Sequence, residues 1–495
     1  MVLGIPPGLF LIAGALLVPL FQGRWRQMYM LFLPLAGLWC LVDGASGTFF
    51  AFTFFDYDIV PVRIDRLSLI FGYIFHIAAA LSVVYAWHNK DIVEQMAGLA
   101  YAGSGIGALF AGDLITLFVY WEAMAVTSVF LIWARRTNAS YAAGMRYLII
   151  QVGSGVLLLS GAILMAHDTG SIAFEKMTLG SLATWLILLA FGIKCAFPFM
   201  HNWLQDSYPE ATVTGTVFLS AFTTKCAVYA LARGFPGTEL LIYVGAAMTA
   251  FPIFYAVIEN DLRRVLAYSL NNQLGFMVVG VGIGSTLAIN GAAAHAFAHI
   301  LYKALLFMSM GAVLYRVGTV KGSELGGLYK SMPFTTVFCI IGAASISAFP
   351  LFSGFIAKSL TLSAVAHDGY FAVWLILLFA SAGVFHHSGI KIPYFAFFAH
   401  DSGKRCKEAP LNMLIAMGIT AFLCIAIGVH SPWLYSLLPY DVDYTPYTTS
   451  HVIGQVQLLM FSALAFAVLM RFKIYPPELK SVNLDFDITY RKWLP

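Results

Sequence analysis

The sequence predicts an all-α polytopic membrane protein with fourteen or fifteen transmembrane helices, and three observations predict it. Hydrophobic residues make up 60% of the 495-residue chain and charged residues only 11%, about half the charged share of an ordinary soluble domain. The mean hydropathy is +0.82. The apolar residues gather into successive windows long enough to cross a hydrocarbon layer. Lysine and arginine, in turn, crowd into alternate loops between those windows, the bias that orients membrane-spanning chains. The first window starts at Val2 with no basic stretch ahead of it and runs on into further spans, which predicts a retained helix rather than a cleaved signal peptide.

In chain order the windows fall at about 2–22, 28–44, 67–87, 92–112, 113–134, 145–166, 182–203 and 211–233. They continue at about 238–258, 265–286, 290–316, 333–366, 371–399, 410–430 and 452–470. The long window 333–366 holds Pro350 and Gly354 and reads as one interrupted span. Of the 28 lysines and arginines, nineteen lie in loops after odd-numbered spans or in the C-terminal tail, Lys480, Arg491 and Lys492 among them. Only Arg63, Arg66, Lys176 and Arg233 lie in the other loops. This predicts an outward-facing N-terminus and a cytoplasmic tail. Cys40, Cys195, Cys226, Cys339, Cys406 and Cys424 are scattered without a CxxC pair, mostly in apolar runs. That argues against a disulfide framework, a zinc site or an iron–sulfur cluster, and no metal or cofactor is expected.

The remaining five basic residues, Lys194, Lys225, Lys303, Lys358 and Lys391, all lie inside spans. A charge at the centre of a span costs roughly 2.5–3.5 kcal/mol on insertion scales, so five in separate helices need a common cause. Amines taken out of water can exchange protons near neutral pH, which makes a row of them a candidate proton relay. Lys194 stands four residues before Pro198, and a proline there takes away the usual helical partner of the lysine's own carbonyl. In a bilayer such a broken helix is tolerated inside a bundle or beside a hydrated cavity. A lysine snorkelling to the membrane surface fits poorly, because apolar residues continue on both sides.

Glu122 is the one acid clearly placed within a span, and an ammonium beside it would keep it charged; the alternative is a neutral acid bonded to a backbone carbonyl. His295, His299 and Lys303 recur every four residues and share one helix face. Neighbours on one helix suit the two faces of a haem badly, and no intramembrane acid or cysteine completes a metal site. A line of titratable groups suits proton passage better, with satisfied structural histidines as the alternative. His386, His387 and Lys391 form a second cluster towards the end of the thirteenth window, where Lys391 is expected to reach the surface. Finally, Ala196-Phe197-Pro198 beside Lys194 is echoed by Ala348-Phe349-Pro350 before Lys358. The echo lies five spans on, which places the two copies in inverted orientation.

The stretches GIKCAFPFMHNWLQDSYPEA, DLRRVLAYSLNNQLGFM, HAFAHILYKALLFMSMGA and PLFSGFIAKSL, together with Glu122, resemble the antiporter-like membrane subunits shared by Mrp-type cation/proton antiporters and respiratory complex I. The resemblance covers about residues 67–400 and is closest to the D-type subunits of Mrp antiporters. It implies two inverted five-helix repeats, at 91–235 and 236–400, each with a broken helix. Residues 1–90 supply three helices ahead of them, and 401–495 supply C-terminal helices and a tail. It also implies roles: Glu122 and Lys194 as a charge pair, Lys225 as a connecting group, His295, His299 and Lys303 as a central relay, and Lys358 as the terminal group. Two features depart from the family pattern: the run Ser269-Leu270-Asn271-Asn272-Gln273, and the cluster of His386, His387 and Lys391.

The function implied is that of a proton-translocating subunit of a multisubunit sodium/proton antiporter in a bacterial inner membrane. It would have no catalysis of its own, and its partners would be other membrane subunits, protons and sodium. A sodium site favours oxygen ligands, whereas the intramembrane polar groups here are mostly nitrogen, which favours protons as the cargo of this subunit. The alternatives are a pumping subunit of a redox-driven complex I-like or hydrogenase assembly, and the membrane partner of a bicarbonate-uptake assembly. A haem- or quinone-binding oxidoreductase is a reading from a different class, which an absorption spectrum would test.

Overall fold

The computed structural model describes residues 4–42, 44–474 and 485–489; Val2 of the first window and the tail residues Lys480, Arg491 and Lys492 lie outside them. The chain folds as the polytopic all-α bundle its apolar windows predict. Among the described residues, nine helices have both the length and the apolarity to cross a membrane by themselves. Of the other windows, three are unbroken but less apolar helices of 19–22 residues, Gly23–Val42, Ile92–Phe110 and Leu262–Ile283, and the rest are shorter helices or helices broken in two.

The first two windows become α1 (Pro7–Leu17) and α2 (Gly23–Val42). Between α2 and α3 (Arg66–Tyr85) the chain forms a small interrupted hairpin that hydropathy does not reveal. In it β1 (Gly47–Phe49) pairs antiparallel with β4 (Val62–Ile64), and β2 (Phe52–Phe54) with β3 (Tyr57–Ile59). Next come α4 (Ile92–Phe110), α5 (Leu114–Trp133) and α6 (Asn138–Thr169). Their starts are set by side-chain caps: Asp91, Asp113 and Thr137 each accept a hydrogen bond from an amide of the following first turn.

The seventh window splits into α7 (Leu182–Cys195) and α8 (Asn202–Ser207), and the eighth into α9 (Gly215–Ala221) and α10 (Thr223–Gly234). Then follow α11 (Glu239–Ile258), α12 (Leu262–Ile283) and α13 (Thr286–Val317). The twelfth window breaks into α14 (Pro333–Ile346) and α15 (Ser353–His367). Finally come α16 (Phe371–Val384), α17 (Leu411–Val429), the short α18 (Pro432–Tyr435) and α19 (Thr449–Arg471). Beyond α16 the thirteenth window continues through wide π-helical turns at Phe385–Lys391 and Tyr394–Phe398.

The echo of three residues noted in the sequence is one part of a much longer internal match. Helices α6 and α13 are both 32 residues long. Isolated antiparallel bridges tie Asp113 to Ala173 and Asp261 to Lys321, at the same offset along the chain that separates α6 from α13. Both bridges precede a broken helix that ends in the same way. Ala196 and Ala348 adopt left-handed φ values of 62° and 57°, and Phe199 and Leu351 follow with 67° and 75°. The amides of Phe197 and Phe349 bond back to Gly192 and Ala344, and those of Ala196 and Ala348 to Ile193 and Ser345, all at 3.0–3.1 Å. This is the two-bond helix stop that glycine ordinarily makes. Here alanine takes the strained conformation, at a cost of roughly 1–3 kcal/mol each, and the proline two residues on forbids the helix from continuing. The chain crosses five times between the two breaks, so the two repeats run in opposite senses.

Candidate functional site

At the first break, Lys194 in the last turn of α7 is fully buried. Its ammonium donates to the Trp121 carbonyl of α5 at 2.5 Å and lies 4.7 Å from the centre of the Trp121 ring. The ring is held in turn by a bond from its indole nitrogen to Ser154 Oγ (2.9 Å), and Ser154 donates to the Ala190 carbonyl at 2.7 Å. Glu122 follows Trp121 on α5 and is half-buried, with Oε1 lacking a hydrogen-bond partner among the described residues. The two charges lie within electrostatic range of one another. The direct ion pair expected from sequence is not made in this arrangement; the lysine is directed to the carbonyl next door. Room for the carboxylate comes from Gly155 on α6, where a Cβ would overlap Glu122 Oε1.

The lysines that follow are held by helix interruptions. Pro350 deprives the Ile346 carbonyl of its helical partner, and Lys358 Nζ supplies the missing donor at 2.7 Å. Lys225 donates to the Ser220 carbonyl at 2.6 Å, across the discontinuity between α9 and α10 at Phe222. Lys303 on α13 donates to Ser269 Oγ of α12 at 2.8 Å. All of these side chains are buried. Lys225 and Lys358 both lie within electrostatic range of Lys303, and all three lie within range of His299. Towards the first break, Lys225 is within range of Cys195, the neighbour of Lys194, and Lys194 within range of Cys226, the neighbour of Lys225. An axis of buried nitrogen therefore runs from α7 through α10 and α13 to α15, with backbone carbonyls rather than carboxylates facing most of the ammonium groups.

Between the lysines stand the two histidines of α13. His295 Nε2 meets Tyr302 OH at 3.0 Å and Gln273 Oε1 at 3.2 Å, and Tyr302 donates to that same oxygen at 3.0 Å. His299 is also fully buried, yet neither of its ring nitrogens has a hydrogen-bond partner among the described residues. An imidazole serving only as packing would be expensive to bury in that state.

The cluster at the end of the thirteenth window is placed differently from the sequence expectation. Lys391 does not reach a surface: it is buried and caps the end of α11, donating to the carbonyls of Val257 (2.7 Å) and Glu259 (2.6 Å). Carbonyls at a helix C-terminus are natural ligands for a cation. His387 is buried, with Nδ1 at 2.8 Å from Ser388 Oγ. His386 is half-buried and packs edge-on against Phe466 of α19.

Sequence reasoning also assigned Arg263 to a loop, whereas it is 1% exposed at the start of α12. Its guanidinium reaches the carbonyls of Pro209 (3.0 Å), Ala211 (3.2 Å) and Thr212 (3.1 Å), and Thr216 Oγ1. Arg146, likewise counted with the loops, lies within α6 and grips Asp206 of α8 with two bonds of 2.7 and 3.0 Å. Arg146 fastens the second half of the broken seventh helix, and Arg263 the link that leads from it to α9. Ser269, Gln273, Tyr302 and Ser388 complete the set of polar side chains on the axis that sequence reasoning did not assign. Of these, Ser269 and Gln273 stand in the run that departs from the family pattern.

Comparison with known proteins bears on the family and the fold. Residues 111–385 match the profile of the family described as NADH:quinone oxidoreductase/Mrp antiporter, TM. Hydrogenase-4 component B of Escherichia coli (strain K12) is 27% identical over 431 residues, covering 77% of this chain and 64% of its own. The D-type subunit of the Na(+)/H(+) antiporter of Alkalihalophilus pseudofirmus is 31% identical over 305 residues, covering 56% of this chain and 62% of its own. The chain thus spans less than two thirds of the length of these relatives. A chain of the Mrp complex from Dietzia sp. DQ12-45-1b superposes with a TM-score of 0.84 at 22% identity, covering 99% of this chain and 58% of that one, a likeness of fold.

Proposed function

Because the chain belongs to the transmembrane family shared by NADH:quinone oxidoreductases and Mrp antiporters, we propose that it is the proton-carrying subunit of a multisubunit sodium/proton antiporter in a bacterial inner membrane. The observation that carries this reading is the buried axis itself. Lys194, Lys225, His295, His299, Lys303 and Lys358 are each at most 1% exposed. Each lysine rests on a carbonyl or hydroxyl that holds an ammonium without neutralising it. Such a site can lose and regain a proton without breaking a permanent ion pair, which suits exchange more than storage.

In this reading Glu122 governs the first lysine: approach of the carboxylate to Lys194 favours the charged amine, and withdrawal favours release towards Lys225. The two repeats, at 91–235 and 236–400, act as inverted half-channels joined at His299 and Lys303, with other membrane subunits as partners. Sodium passage belongs to those partners, because the polar groups of this axis are chiefly nitrogen donors and sodium requires several oxygens. The match to the Alkalihalophilus antiporter supports the antiporter reading. The longer match to hydrogenase-4 component B supports a second one, a redox-driven pumping subunit. Inverted membrane vesicles separate the two. Proton movement driven by a sodium gradient with no electron donor present supports the antiporter, and movement only during electron transfer supports the redox-driven pump.

A further inference from the structure

The axis has a side branch. Lys303 Nζ donates to Ser269 Oγ at 2.8 Å, Ser388 Oγ donates to that same Ser269 oxygen at 2.8 Å, and His387 Nδ1 lies 2.8 Å from Ser388 Oγ. The four side chains come from α13, from α12 and from the π-helical turn at Phe385–Lys391, and every one of them is fully buried. Serines inside these helices ordinarily bond the carbonyl of the preceding turn, as Ser104 does with Ala100 and Ser309 with Leu305. Ser388 instead reaches across to another helix. The wide turn, which adds a residue to the helical repeat, presents His387 and Ser388 to α12; such turns recur at functional sites.

We propose that Lys303, Ser269, Ser388 and His387 form a proton wire that leaves the midplane axis at Lys303, so that protons exchange with one side of the membrane from the centre of the second repeat rather than from Lys358. The inference rests on the proton-carrying reading. Hydroxyls both donate and accept and can rotate, so the transfer balances. In the arrangement observed Ser388 donates to Ser269. Once the Ser269 hydroxyl has turned to Ser388 and the Ser388 hydroxyl to His387, a proton passes from Lys303 Nζ to Ser269 Oγ, the original Ser269 hydroxyl proton passes to Ser388 Oγ, and that of Ser388 passes to His387 Nδ1. A neutral amine and an imidazolium remain, starting from an imidazole protonated on Nε2, and both hydroxyls are intact. Rotation of the two hydroxyls resets the wire. One turn beyond His387 stands Lys391, within electrostatic range of it and seated on the last carbonyls of α11.

The test is proton flux in vesicles carrying the whole complex, with assembly measured by co-purification of the other subunits. Ser388→Ala removes the hydroxyl that joins Ser269 to His387 and should lower flux about a hundredfold or more, the scale of a lost positioned proton-transfer group. Ser388→Thr keeps the hydroxyl and should restore most of it. Full flux in Ser388→Ala, beside an inactive Lys194→Ala control, overturns the wire and leaves the proton-carrying reading standing. A loss in Ser388→Ala that threonine does not restore also overturns it, because it assigns the serine to packing. Full flux in Lys194→Ala removes the proton-carrying reading and the wire with it.

Discussion

Substituting Gly155 by alanine tests the role of Glu122 without touching Glu122. A Cβ at this position would coincide with the space of Oε1 and lie 3.0 Å from Glu122 Cγ, closer than ordinary van der Waals contact. Oε1 is the far end of a flexible side chain, so the helix can keep its place while the carboxylate swings away. Turning it off a favoured rotamer costs about 0.5–1.5 kcal/mol. A move that carries it away from Lys194 weakens their interaction: for two charges about 5 Å apart at an effective dielectric near 20, each added ångström removes roughly 0.5 kcal/mol. A displacement of two ångströms therefore costs about 1 kcal/mol of coupling, or fivefold in the protonation equilibrium, before any rotamer penalty. The helix itself gains, since alanine is favoured over glycine in a helix interior by roughly 0.8–1.0 kcal/mol. Gly153, two residues away on α6, has nothing within 4 Å of its Cβ position and is the natural control. Gly155→Ala should lower proton flux about fivefold or more while the melting temperature in detergent stays level or rises; Gly153→Ala should raise stability and leave flux alone. Wild-type flux in an assembled Gly155→Ala complex would refute the placement of Glu122 as the group that governs Lys194.

Further outcomes follow from groups away from the axis. Arg263→Met leaves the Ala211 carbonyl without its guanidinium donor and takes one of several donors from the carbonyls of Pro209 and Thr212; it should cost about 1–3 kcal/mol, read as a lowered melting temperature, and an unchanged one contradicts the fastening role. Burial opposes the charge of Asp65 at the start of α3, but the Arg233 guanidinium at 2.7 and 2.8 Å and the Ser68 amide outweigh it and hold the carboxyl below its ordinary value. The stabilisation is therefore complete above the ordinary carboxylate range and fades as the pH falls through the depressed value. Asp65→Asn should cost about 1 kcal/mol at neutral pH, and the melting curves of variant and parent should converge in acid; a pH-independent gap contradicts the ion pair.

The parts of this molecule that were legible in the sequence are those where a residue conflicts with its surroundings. A lysine in an apolar run has no cheap explanation, so Lys194, Lys225, Lys303, Lys358 and Lys391 announced themselves, and all five are buried. A proline after an alanine and a phenylalanine located both helix breaks, because its missing donor is a property of the residue and not of its context. Other features depend on distant parts of the chain and leave no local mark. Arg263 sits beside a helix boundary, where arginine is normal on a membrane surface, and only the fold brings carbonyls from 209–212 over it. Ser269 and Ser388 look like any serine that bonds its own helix. The wide turns at Phe385–Lys391 have no composition that separates them from an α-helix, so Lys391 was expected at the surface. The hairpin of β1 to β4 was missed because its strands are three residues each, too short for alternation to register.

The central claim, that protons travel along the buried axis between the two broken helices, is tested most directly by sodium-driven proton flux through the purified complex in liposomes. The comparison sets the parent against Lys194→Ala and Lys358→Ala, one at each break. Loss of flux in both variants, with all subunits still assembled, is the predicted result. Flux at the parental rate in either one would contradict it.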